Sequence, residues 1–182
     1  MRRAQVMAIA MAIAFGALAG TAWWVTRPPA PASAPAASAD STQSGVRAVE
    51  LYFAAAGADS LVREEREVVE GATFRDRVVQ LVAELDRGPR GRGVAALPAV
   101  TSVLRVYLDD GGLLTLDLTG AFRQRFSGGS SAEYLAIASL VRTIGANLPE
   151  VKRVLICVAG RPIATLGGHL PLDQPLDVAE WP

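Results

Sequence analysis

The run from Leu113 to His169 constrains the fold of this 182-residue chain more than any other part. Leu114, Leu116 and Leu118 alternate with Thr115 and Asp117, the period of a half-buried strand. A Gly128-Gly129-Ser130 turn leads into Tyr134–Leu148, where Arg142 is the only charge. A helix apolar almost all round is buried on more than one side, or turns one face to a partner. Pro149 stops it. Val154–Val158 is then apolar on both faces, as a central strand requires. Ala159-Gly160 turns the chain back into a further strand at Ile163-Ala164-Thr165.

The preceding segments add elements of the same kind. Val49, Leu51 and Phe53 alternate with polar or small neighbours and read as a strand. Ser60–Val69, with Arg63 to Glu67 at its centre, reads as a charged edge strand or extended loop. Phe74, Val78, Leu81, Val82 and Leu85 form one face of an amphipathic helix. Thr73 and Asp76 stand at capping-box spacing before that helix, and Gly88-Pro89 ends it. Leu104, Val106 and Leu108 pair across Asp110-Gly111 with Leu114 to Leu118 as a hairpin. Ser130 and Glu133 repeat the capping-box spacing at the second helix. The expected fold is an α/β two-layer sandwich, a mixed sheet of about five strands with two helices against one face.

Composition sets the surroundings. Arg2 and Arg3 precede an apolar stretch, Val6 to Val25, about as long as a membrane-spanning helix, with Trp23 and Trp24 at its far end. Residues 1–26 are therefore expected to be a transmembrane anchor with the N-terminus in the cytoplasm. The alternative is a signal peptide cleaved after Ala17-Leu18-Ala19. Residues 27–45, rich in Pro, Ala and Ser, form a linker, roughly 50 Å long if fully extended. Residues 46–177 form the domain and 178–182 a short tail. The expected location is the cytoplasmic membrane, with the domain extracytoplasmic. No cysteine lies near the N-terminus for acylation, so a lipoprotein of the usual kind is not expected.

Setting aside Arg2, Arg3, Arg27 and Asp40 leaves 15 basic and 17 acidic residues from Val46 onward. That balance gives no footprint for nucleic acid. Cys157 is the only cysteine and reads as a small buried hydrophobe. His169 is the only histidine, so no zinc ligand set is apparent, and no Gly-x-Ser-x-Gly elbow occurs. Asp109, Asp117 and Glu133 suit glycoside hydrolysis by type alone, with nothing to bring them together. The Gly128-Gly129-Ser130 turn lacks the lysine of a phosphate loop. No catalytic residue, cofactor or metal is expected.

The order of these motifs resembles the GerMN domain, the module named after the spore-germination protein GerM. Gly88-Pro89 matches the end of the family's first helix, and Leu97-Pro98 with Thr101 its Pro-x-x-Thr lead into the hairpin. Here Ala99-Val100 replaces the more usual glycine before that threonine. Asp117-Leu118-Thr119, Gly129-Ser130 with Glu133, Thr143, Val151, Val154 and Gly160 match the later motifs, so the resemblance spans about Val46 to Leu176. It implies a non-catalytic envelope module that assembles or binds, with an envelope protein or a second copy as partner. The single copy departs from members that carry two in tandem. The alternative function is peptidoglycan or glycan binding, with Tyr107, Asp109, Asp117, Thr119, Ser130 and Glu133 as the candidate partner- or glycan-binding surface. A wall-active hydrolase is the remote alternative.

Overall fold

A computed structural model describes residues 45–57 and 59–181. The expected anchor and all but the last residue of the expected linker lie outside the described residues. Among the described residues no helix is long and apolar enough to cross a membrane.

The chain begins with an antiparallel hairpin, β1 (Val46–Ala54) and β2 (Leu61–Val69), paired from Val46↔Val69 to Ala54↔Leu61. The charged segment is thus a strand, with one departure from a solvated edge. Arg66 is buried and bridges Glu64 and Glu84, and its Nη2 donates to the Gly88 carbonyl. Glu64 in turn accepts from the Arg90 and Gly91 amides. The charges that looked like a wet edge therefore fasten the turn after the first helix. That helix, α1 (Phe74–Asp86), has the expected box: Thr73 Oγ1 accepts from Asp76 N, and Asp76 Oδ2 from Thr73 N.

The second sheet is mixed and has five strands. They are β3 (Val103–Leu108), β4 (Leu113–Leu118), β5 (Arg153–Val158), β6 (Arg161–Pro162) and β7 (Leu176–Asp177). β4 and β5 run parallel, joined through a short helix α2 (Ala121–Gln124) and the long α3 (Ser130–Asn147). The five strands are not quite those expected. β1 and β2 stand apart as their own sheet, β7 joins from the C-terminal segment, and β6 falls at Arg161–Pro162 instead of 163–165. The tight turn at Ala159 (φ 51°) and Gly160 (φ 82°) sets Arg161 directly opposite Val158, so pairing starts at once. Ile163 then turns into the core. In β3 a bulge near Leu104 breaks the even alternation, leaving Leu104 exposed while Val106 and Leu108 stay half-buried.

β1 lies outside the main sheet because α3 occupies its free edge. Tyr52 N donates to Thr143 Oγ1 (3.1 Å), and Ser139 Oγ donates to the Tyr52 carbonyl (2.5 Å). Asn147 accepts from Glu50 N (3.0 Å) and donates to the Glu50 carbonyl (2.7 Å). Beyond them Ala54 exchanges both backbone bonds with Val94. Four helical residues rise about 6 Å, close to the roughly 6.7 Å of two strand residues. Side chains at 139, 143 and 147 can therefore stand in for a neighbouring strand. The apolar side of α3, including Ile137, Leu140, Val141 and Ile144, is buried in the common core. Of the two readings of α3, this is the one in which the helix is buried on more than one side.

Residues 178–181 pack on the domain. Val178–Glu180 form a 3-10 turn against α3, and Trp181 is buried, its ring stacked on Tyr134 at 5.3 Å. A Cβ on Gly145 would collide with Val178 Cγ1, so this close approach requires glycine.

Candidate functional site

The hairpin and central strand present one face to the core and the other outward. Leu114, Leu116, Leu118, Val154 and Ile156 point inward and are buried. Tyr107↔Thr115, Arg105↔Asp117 and Asp117↔Cys157 are cross-strand partners on the outer face. Arg105, Tyr107, Thr115, Asp117, Cys157 and Gly160 border a shallow depression of about 190 Å³ there. Tyr107 is 66% exposed, and no described element covers its ring.

Three of the sequence-selected carboxylates hold backbone in place. Asp109 Oδ1 accepts from Leu113 N (2.8 Å) and closes the hairpin turn. Asp117, only 3% exposed, accepts from Gly160 N (2.8 Å) and faces Arg105 Nη1 (3.4 Å). Glu133 is fully buried and accepts from the amides of Leu166, Gly167 and His169 at 2.8–2.9 Å. His169 Nδ1 lies 3.1 Å from the same carboxylate. Burial alone would raise the Glu133 pKa. The ring of amides and the imidazole outweigh it and hold the carboxyl at about 2. Gly167 packs against Phe126 and Glu133 where a Cβ would not fit.

Two expectations are corrected here. Glu133 is no surface residue, since the 166–169 loop folds over it. Nor do Ser130 and Glu133 form a capping box: Ser130 is the first helical residue, Gly129 is the N-cap, and no side chain caps the helix. Ser130 instead borders a separate depression of about 320 Å³ with Tyr134. Thr119 is half-buried, near Ser102 Oγ at the strand end (3.4 Å). The structure thus gathers Tyr107 and Asp117 on one face and leaves Asp109, Ser130 and Glu133 elsewhere. Burial, with the charge of Asp117, pushes the Cys157 thiol pKa up, away from the reactive thiolate form. Among the described residues no cluster of His, Cys, Asp or Glu could hold a metal ion.

Sequence reasoning missed two concave features. A groove of about 450 Å³ is lined mainly by Ala54–Ala56, Ala95, Ala96 and Pro98, with Arg125 and Phe126 at one side. A cleft of about 640 Å³ lies between β1, α3 and the C-terminal turn, around Arg142. The signals were alanine runs in the first case and the one basic residue of α3 in the second, and neither says what it faces.

The family profile described as "Germane: Sporulation and spore germination" matches residues 50–164, from within β1 to just past β6. The chain belongs to the Germane family. Its fold agrees with that of a solved structure, the first GerMN domain of the sporulation protein GerM from Bacillus subtilis. That similarity has a TM-score of 0.56 at 18% identity, over 74% of this chain and 99% of that one. Against the tandem GerMN domains of the same protein the TM-score is 0.59 at 17% identity, over 73% of this chain and 46% of that one. The match therefore corresponds to one GerMN unit where the tandem has two. A search of curated proteins found no match.

Proposed function

We propose that this chain is a non-catalytic GerMN module, tethered to the cytoplasmic membrane by its N-terminal segment and acting in protein assembly in the cell envelope. The observation that carries the assembly reading is the open outer face of the five-stranded sheet. β3 pairs only with β4 and so is an edge strand. It exposes Leu104 (43%) and Tyr107 (66%) beside Arg105. An exposed aromatic with flanking aliphatic and arginine side chains has the make-up of a protein interface. The non-catalytic reading is supported by the fate of Asp109, Asp117 and Glu133, whose oxygens are engaged by turn and loop amides.

Tyr107→Glu in the full-length protein in its membrane should abolish the cross-linked complex formed through this face while leaving the melting temperature unchanged. An undisturbed complex would overturn the reading. Glycan binding is the second reading, favoured by the free Tyr107 ring next to the Thr115 hydroxyl. Salt-resistant pelleting with peptidoglycan sacculi that disappears in Tyr107→Ala would select it instead.

A further inference from the structure

Arg142 is the only basic residue on α3. It forms no salt bridge among the described residues, unlike Arg66, which sits between two carboxylates. Its Nη1 reaches the Trp181 carbonyl at 3.4 Å, and its guanidinium lies beside Tyr52, 5.3 Å from the centre of the ring. Its Nε is buried and has no hydrogen-bond partner, the only such side-chain atom among the described residues. Buried donors are nearly always satisfied, so Arg142 is under-partnered within the fold, and the same side chain lines a cleft.

The surroundings say what kind of group the cleft takes. Arg142 borders the cleft of about 640 Å³ together with Lys152, whose Nζ touches only the Pro149 carbonyl (2.8 Å). The two acidic residues on the rim are engaged. Glu50 holds Arg63 (2.8 Å) and the Tyr52 hydroxyl (3.0 Å), and Asp177 Oδ1 caps Ala179 N (2.9 Å). Two cations are left without a carboxylate partner, which favours an anion. Nearby Glu50 and Asp177 disfavour a doubly charged one. The walls continue in Ala146, Pro149 and Val151, giving the cleft more apolar lining than a bare ion uses.

We propose that this cleft binds a carboxylate carried by a peptide chain, with Arg142 as its fork-shaped anchor and Lys152 as the second cation. A planar guanidinium takes a carboxylate by two parallel bonds. The proposed site shares no residue with the sheet-face interface, so failure of either leaves the other standing.

The test is calorimetric titration of the full-length protein in detergent with three probes. These are acetyl-Ala-Ala with a free C-terminal carboxylate, its C-terminal amide, and acetyl-Ala-Glu-Ala-amide. Binding of the first or third, with the amide about tenfold weaker, is the expected result. The first alone assigns a chain terminus, and the third alone an acidic side chain. Arg142→Met should weaken binding about tenfold and Lys152→Met severalfold, with unchanged melting temperatures. If Arg142→Met fails to fold, Arg142→Lys keeps the charge without the fork and should still lose most of the affinity. Equal binding of acid and amide, tighter binding of inorganic phosphate, or no binding at roughly 10 mM would overturn the proposal.

Discussion

The two long helices begin with the same local message and answer it differently. Thr73 and Asp76 stand three apart before α1, and both capping bonds form. Ser130 and Glu133 stand three apart at α3, and neither forms. The α1 start is exposed, so nothing competes for the Asp76 carboxylate. At α3 the 166–169 loop presents three amides and an imidazole, and Glu133 serves them instead. A helix cap contributes about 1 kcal/mol, whereas several charge-assisted bonds to one buried carboxylate contribute more. The larger demand wins, and the start of α3 is left without a side-chain cap.

The largest test of this contrast is Glu133→Gln. It should destabilise the domain by about 3 kcal/mol, because an amide cannot accept as a carboxylate does from three buried donors. The pH dependence carries the same information. The folded pKa of about 2 lies below the ordinary 4.5. Glu133 thus stabilises fully above its unfolded pKa, and that contribution, roughly 3 kcal/mol, is lost as pH falls from about 4.5 towards 2. Urea unfolding across this range should show the acid loss in the native chain and a flatter profile in Glu133→Gln.

Thr73→Ala removes a cap that owes nothing to tertiary structure and should cost about 1 kcal/mol in the same unfolding experiment. A cost above about 2 kcal/mol would mean that the α1 box is also coupled to the core. Val100 gives a local effect of the opposite sign. It holds φ 66°, a left-handed conformation that suits glycine, and it is 56% exposed. Val100→Gly should raise stability by about 1 kcal/mol, seen as a higher melting temperature. The smallest effect belongs to Ser130→Ala, within about 0.5 kcal/mol by denaturant titration, since this exposed residue caps nothing. A loss near that of Thr73→Ala would restore the capping box at α3.

What the sequence determined on its own was what short-range physics controls. Alternation placed β1 and β4, an unbroken apolar run placed β5, helical spacing placed α1, Pro149 and Gly88 ended the helices, and Thr73 announced its cap. The order of motifs was enough to suggest the family that the profile match then showed. Tertiary structure decided the destination of each polar group. Ser139, Thr143 and Asn147 cover the edge of β1, Arg66 fastens a turn, Glu133 gathers a loop, and Arg142 faces a cleft. An apolar side chain needs only burial, which periodicity reports. A buried polar group needs one particular partner, and here that partner lies up to about a hundred residues away along the chain.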